Sequence, residues 1–288
     1  MPILHKEYSE LRMKKIFIAV AVLCFLCVSA FAQSGLKIFV EESAGSLTII
    51  RSEGKTKQLI IPATINDIPV TAIGDGAFTR KGLTLVTIPD SVTRIGENAF
   101  SFNELTTLVI GNNVETIDRG AFSNNKLNDI TIGEGVKSIG MGAFMDNELV
   151  QVVLPNGLTD IKPYAFFYNR IRNLTIPDSV TAIGEGAFSS NRIYNVVIGN
   201  SVSEIGDGAF FNNAITSITV PSGVNTMGER VFESRMTKGG SGPPIDYIDD
   251  TGSVIATTST NFDTYFASSG KRAGKYNYSR AGGWVFEE

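Results

Sequence analysis

Few residues of this chain have side chains suited to catalysis, and its histidine and cysteines all lie near the N-terminus. His5 is the only histidine, and Cys24 and Cys27 are the only cysteines among 288 residues. All three precede Ala32, after which we predict signal-peptide cleavage. The remaining chain then has no Ser-His-Asp triad, cysteine nucleophile, Cys/His zinc site or disulfide. We predict that it is not an enzyme and that it has no cofactor and no catalytic or metal-binding residues.

Carboxylates do recur at one position of the chain, three residues before a repeated phenylalanine. The acidic members of this column are Asp75, Glu97, Glu185, Asp207 and Glu229. Calcium needs six to eight oxygen ligands, but Arg119, Met141 and Pro163 interrupt the column. We therefore predict no calcium site. No spacing places two carboxylates across a cleft, and we expect no obvious pocket.

The N-terminal segment has the parts of a secretory signal peptide. Lys14 and Lys15 precede an apolar run over 16–28, and Ala30-Phe31-Ala32 forms an A-x-A cleavage site. We take Met13 as the natural start. The run is too short to span a bilayer, and no later segment is apolar enough to do so. Export would place the protein at the cell surface, in the periplasm or outside the cell; an uncleaved N-terminal anchor is the alternative.

The charge of the mature chain argues against one class of partner. Removal of 1–32 leaves 21 Lys and Arg against 27 Asp and Glu, a net charge of −6. Proteins that bind nucleic acid need basic side chains for the phosphates. We therefore expect a protein partner and no nucleic acid.

A 22-residue repeat must position the surface residues of this chain. The core phenylalanines that define it are Phe78, Phe100, Phe122, Phe144, Phe166, Phe188, Phe210 and Phe232. Alanine precedes seven of the eight, isoleucine or methionine lies five residues before each, and valine or leucine lies eight before. A period of this length predicts stacked coils, numbered here one to eight, that bury their apolar faces only against their neighbours.

Each coil is predicted to contain two short strands. Alternation such as Leu174-Thr175-Ile176 favours one strand of a parallel ladder, and a second strand is expected around 180–183. Glycines at 184 and 186 would permit the turn that precedes Ala-Phe. Asparagine recurs three residues after the core phenylalanine, and we interpret it as a structural ladder that hydrogen-bonds buried turn backbone.

The combined pattern LxxLxI(P/G)xxVxxIGxxAFxxN over residues 60–233 resembles the BspA-like, Treponema-type leucine-rich repeat. The resemblance implies a mostly β, right-handed leucine-rich-repeat solenoid of about eight 22-residue coils. It also implies binding, such as adhesion to host or neighbouring cells. Three residues after the core phenylalanine, this family often has cysteine, whereas coils two to seven of this chain have asparagine.

Solenoids need caps at both ends, and we divide the chain accordingly. The segments are a signal peptide over 1–32, an N-terminal β-hairpin cap over 33–69, the solenoid over 70–236, a linker over 237–244 and a C-terminal segment over 245–288. In the last segment Phe262, Tyr265 and Phe266 predict a short helix, and a terminal hairpin follows. A weaker hypothesis makes Tyr276, Tyr278 and Trp284 of this hairpin a glycan-binding module.

The fifth and sixth coils depart most from the repeat. Lys162-Pro163-Tyr164 replaces the Gly-x-Gly turn, and aromatic residues interleave with arginines on the same edge. This composition is typical of interaction hot spots. The candidate partner-binding residues are Tyr164, Phe167, Tyr168, Arg170, Arg172, Arg192, Tyr194 and Phe211. We predict a secreted or surface-exposed protein that binds another protein; a periplasmic or envelope scaffold is the alternative.

Overall fold

The computed structural model describes residues 26–28 and 35–232, together with backbone strands at 247–248, 254–255, 274–279 and 283–287. The predicted helix around Phe262 and the predicted linker lie outside these residues. The first six strands are β1 (Leu26–Val28), β2 (Leu36–Ser43), β3 (Ser46–Gly54), β4 (Gln58–Ile60), β5 (Thr64–Ile65) and β6 (Ile68–Ile73).

Two strand ladders run along the coils, as the alternation predicted. The first ladder continues from β6 through β8 (Arg94–Ile95), β10 (Thr116–Ile117), β11 (Ser138–Ile139), β12 (Asp160–Ile161), β14 (Ala182–Ile183), β16 (Glu204–Ile205) and β18 (Thr226–Met227). The second ladder comprises β4, β7 (Leu85–Thr87), β9 (Thr107–Val109), β13 (Asn173–Thr175), β15 (Asn195–Val197) and β17 (Ser217–Val220). Neighbouring coils pair in parallel with residues 22 apart opposite each other, for example Ile117 and Ile139.

The second ladder is not continuous, which corrects the expectation of a strand in every coil. A single bridge joins Val109 to Thr131, and within 35–232 no strand pairing links that point to β13. The side-chain pattern nevertheless persists there, since Val152 and Leu154 are buried while Val153 is 75% exposed. Apolar burial therefore continues along this face, and backbone hydrogen bonds elsewhere, such as the Val150 amide to the Asn128 carbonyl at 3.2 Å, still join these coils.

The core phenylalanines form one stack through the centre of the solenoid. All but Phe232, which is 4% exposed, are completely buried. Ring centroids of successive coils lie 5.1 to 5.6 Å apart with interplanar angles of 2° to 11°. The backbone fixes this spacing, because the amide of each core phenylalanine from Phe78 to Phe210 donates to the carbonyl of the residue before the next core phenylalanine. The Phe144 amide, for example, donates to the Ala165 carbonyl at 2.8 Å.

The asparagine ladder is structural, as predicted. Asn147 is typical: its Oδ1 accepts the amide of Leu127 at 3.1 Å, and its Nδ2 donates to the carbonyls of Phe122 at 3.0 Å and Phe144 at 3.2 Å. The side chain thus satisfies buried backbone groups of two coils at once. An amide supplies both the acceptor and the donors that this position needs, which explains why it recurs.

The two ends are closed by hairpins. Strands β2 and β3 pair antiparallel around a turn at Ala44 and Gly45, and β3 then pairs in parallel with β6. At the other end β21 (Gly274–Ser279) and β22 (Gly283–Glu287) form the predicted hairpin, and β21 pairs antiparallel with β17. The remaining short pair is β19 (Tyr247–Ile248) with β20 (Val254–Ile255). Strand β1 pairs antiparallel with β2 and lies within the predicted signal peptide.

Candidate protein-interaction edge

We define the turn edge of a coil as the segment from four residues before to four residues after the core phenylalanine. In each of coils one to seven it contains two left-handed residues. In coil four these are Gly142 at φ 60° and Asp146 at φ 56°. In coil five they are Tyr164 at φ 59° and Tyr168 at φ 57°. Bulky residues rarely adopt this conformation, which costs roughly 1–3 kcal/mol.

Tyr164 is the more unusual of the two tyrosines. The position of Tyr168 is held by non-glycine residues in left-handed conformation in every coil from Arg80 to Asn212. The position of Tyr164, in contrast, is glycine in five coils. The side chain at this position is therefore present in spite of local strain, which marks it as a functional candidate.

The Tyr164 side chain reaches across to the next coil. Its ring lies so close to Gly186 that an added Cβ there would be 2.5 Å from Tyr164 Cε1. Its hydroxyl donates a hydrogen bond to Glu185 Oε1. This hydrogen bond raises the pKa of Tyr164, and partial burial and the negative charge of Glu185 add to the increase.

Three of the predicted residues form one aromatic cluster in coil five. The rings of Tyr164 and Phe167 meet edge to face at 5.9 Å, and those of Phe167 and Tyr168 lie 6.1 Å apart. Tyr168 is 60% exposed. Phe211 occupies the same column as Phe167 two coils later, with Ser189 between them.

The predicted arginines and Tyr194 divide into two groups. Arg170 and Arg192 are exposed on the turn edge, and Arg170 forms an ion pair with Glu148 at 2.9 Å. Arg172 and Tyr194 are half-buried and lie beyond the turn edge. The Tyr194 hydroxyl accepts a hydrogen bond from Asn173 Nδ2 of β13 at 2.9 Å, and the residue lies directly before β15 of the second ladder.

The structure also shows a shallow acidic groove of about 270 Å³ that the sequence reasoning missed. Its walls are Tyr164, Glu185, Asp207, Phe211, Glu229 and Arg230. The sequence analysis expected no obvious pocket, and this feature is an open surface groove that forms because large side chains stand at the two ends of a glycine column. A comparison of the residues two positions before the core phenylalanine, coil by coil, would have indicated the groove.

Two of the carboxylates of this groove, Glu185 and Asp207, accept hydrogen bonds from groups of the chain itself. Asp207 Oδ1 accepts the amide of Glu229 at 2.8 Å, as Asp75 Oδ1 accepts that of Glu97 at 2.9 Å. In the part of the chain that the structure describes, no three acidic, histidine or cysteine side chains converge as metal ligands do. These aspartates connect successive coils.

The repeat identifies the family of this chain. Six copies of the BspA type leucine rich repeat region match residues 50–169 and 115–238. The chain belongs to the BspA-type leucine-rich-repeat family. A search of curated proteins gives no significant match. Among the described residues of this BspA-type solenoid, no helix is long and apolar enough to cross a membrane.

Solved bacterial structures share the fold of this BspA-type solenoid. A leucine-rich repeat protein from Bacteroides ovatus is 25% identical with a TM-score of 0.60, over 68% of this chain and 55% of that one. A leucine rich cell surface protein from Faecalibacterium prausnitzii is 24% identical with a TM-score of 0.50, over 86% and 59%. The leucine rich repeat protein of T. pallidum is 22% identical with a TM-score of 0.51, over 70% and 86%. The chain thus spans little more than half of the first two proteins.

Proposed function

We propose that this protein is exported and binds another protein through the turn edge of coils five to seven, in adhesion to host or neighbouring cells. The observation that carries the proposal is the aromatic cluster of Tyr164, Phe167 and Tyr168 beside Arg170 and Arg192. Exposed tyrosine and arginine in a rigid setting are the side chains that dominate binding energy at interfaces.

Rigidity supports the same surface. Each turn is tied to the next coil through its backbone, as when the amide of Tyr164 donates to the carbonyl of Glu185 at 2.8 Å. A preorganised surface loses little conformational entropy on binding. At the equivalent positions coil two also carries an exposed aromatic residue, Phe102, whose ring lies 4.4 Å from the Arg80 guanidinium. No other coil, however, has aromatic residues at all three positions of the cluster.

Export is supported by the signal-peptide pattern and by the kind of protein that shares the fold, since the Faecalibacterium protein is described as a cell-surface protein. A reagent that cannot enter intact cells should label the protein at the surface. Protection from that reagent would favour the envelope scaffold instead.

The binding proposal is tested by capture of a partner with the mature protein from host and envelope extracts. The variant Tyr168→Ala/Arg170→Ala/Arg192→Ala should lose the captured partner. The matched control is Asn124→Ala/Lys126→Ala/Glu104→Ala, which changes the same positions of coils two and three, including one left-handed residue. Unchanged capture by the first variant would exclude this edge as the binding surface.

A further inference from the structure

The acidic groove exists because one column of the repeat has two large residues at its ends. Two residues before the core phenylalanine, coils five to eight carry Tyr164, Gly186, Gly208 and Arg230 in order. All four residues are left-handed, with φ between 57° and 59°. Tyr164 and Arg230 therefore accept strain that glycine would avoid, and the glycines leave space between them.

The floor of the groove is open above Gly208. A Cβ added there would approach only Phe211 Cβ, at 3.4 Å, whereas one added at Gly186 would strike the Tyr164 ring. Ser189 of coil six, which has a small side chain, also lines the groove. The open space is thus bounded by a tyrosine ring on one side and a phenylalanine ring on the other.

The rim of the groove is negative. Glu185, Asp207 and Glu229 come from three successive coils and are exposed at the rim, and Arg230 is the one basic side chain that lines the groove within the described chain. The Arg230 guanidinium lies 4.6 Å from the Phe211 ring centroid. Arg230 thus already occupies one side of the Phe211 ring, and a guanidinium from a partner would have to contact the ring surface that Arg230 leaves exposed.

We propose that the acidic groove binds an arginine side chain of an extended segment of the partner protein. The planar guanidinium would lie between the Tyr164 and Phe211 rings and donate hydrogen bonds to the Glu185 and Glu229 carboxylates. Arginine combines a flat cationic face with several in-plane donors, which matches aromatic walls and carboxylates together. The inference rests on the proposed function, protein binding at this edge, and specifies the chemistry of the partner.

Anionic ligands and lysine side chains fit the groove less well than arginine. A phosphate or an acidic glycan would meet three carboxylates, and like charges repel. A lysine ammonium is compact and strongly hydrated, so it would gain less from the ring faces. The groove therefore favours a guanidinium over the other common charged groups of proteins and glycans.

The test is an NMR titration of the mature protein with the capped peptide acetyl-Gly-Gly-Arg-Gly-Gly-amide at about 0.15 M salt, where exposed charges are screened. The amide resonances of Gly186 and Gly208 should shift saturably. Glu185→Gln/Glu229→Gln should raise the dissociation constant about tenfold, as expected for lost charge-assisted hydrogen bonds. Glu97→Gln/Glu134→Gln removes the same charge elsewhere and should leave the constant unchanged.

Two further arms define what would overturn the inference. Tyr164→Gly restores the residue of the other coils, so the protein should fold and yet lose peptide binding. A peptide with lysine in place of arginine should bind more weakly; equal binding would overturn the assignment. So would the absence of any shift at Gly208, or wild-type affinity in the Glu185→Gln/Glu229→Gln variant.

Failure here is distinguishable from failure of the proposed function. The alanine variant at Tyr168, Arg170 and Arg192 changes no residue that lines the groove. If that variant loses partner capture and the wild-type protein does not bind the arginine peptide, the groove assignment alone is overturned. Peptide binding with unchanged capture by that variant would place the contact at the groove and remove the Tyr168 surface from the proposal.

Discussion

The interior and the turn edge of coils four and five behave in opposite ways. Their core rings, Phe144 and Phe166, stack at 5.3 Å and 8° like every other pair in the solenoid. At the edge, however, Gly142 and Met145 are replaced by Tyr164 and Phe167. An interior side chain contacts the coils on both sides and must match them, whereas an edge side chain also faces solvent and can vary. Variation at the edge is therefore where binding can be specified without loss of the fold.

The largest expected effect lies in the interior. Phe144→Ala should lower the free energy of unfolding by about 3 to 5 kcal/mol, because the ring is completely buried between two others. Phe232→Ala should cost less, since its ring stacks on Phe210 alone among the core phenylalanines. Chemical denaturation of both variants measures the difference. Equal losses would contradict the stacked arrangement as the source of stability.

The asparagine ladder should come next. Asn147→Ala leaves the buried Leu127 amide without its acceptor, and an unsatisfied buried group costs about 1 to 3 kcal/mol. The Phe122 and Phe144 carbonyls each lose one of two asparagine donors. We expect a loss of about 2 to 3 kcal/mol in urea denaturation. Asn156→Ala, at an exposed asparagine of the same region, should change stability by less than about 0.5 kcal/mol. Similar losses for both asparagines would remove the distinction between interior and surface.

At the turn edge, removal of a large side chain should not lower the free energy of unfolding. Tyr164→Gly relieves left-handed strain but removes ring contacts, so stability should stay constant or rise by up to about 1 kcal/mol. The reverse change in the regular coil, Gly142→Tyr, should destabilise by about 1 to 3 kcal/mol. Thermal unfolding of the two variants measures this asymmetry. If Tyr164→Gly lowered the free energy of unfolding as much as Phe144→Ala, Tyr164 would be part of the structural interior.

The smallest effect concerns pH. The hydrogen bond to Glu185 raises the pKa of Tyr164 above its usual value of 10.0. Between that value and the raised one the folded protein holds the proton more tightly than the unfolded chain, so stability falls as pH rises through this window. The contribution is complete below pH 10.0. Tyr164→Phe should therefore lose stability less steeply in alkaline denaturation series, and Glu185→Gln should act in the same way. Identical slopes for wild type and both variants would contradict this link.

The fold was predictable to a large extent because its determinants repeat. The core phenylalanines, the asparagine ladder and the hairpin cap around Gly45 were all readable from residue types at fixed spacing. The interruption of the second ladder around Val153 was not, because its side chains alternate as in a strand and backbone pairing depends on the neighbouring coil.

The candidate site was predictable only in part. The aromatic cluster appeared in the sequence as a local departure from Gly-x-Gly. The ion pair of Arg170 with Glu148, which shares its charge between coils, required the structure. So did the contact of Tyr194 with the second ladder, since its hydroxyl partner Asn173 lies in the preceding coil.

The sequence alone determined the period, the identity of the buried columns and the absence of histidine and cysteine after residue 27. Each of these depends on residue type and spacing along one chain. Tertiary structure decided which edge residues meet, because stacking places residues 22 apart side by side. The acidic groove between Tyr164 and Arg230 is the clearest case: it spans four coils, and its shape follows from the two glycines that the fold sets between them.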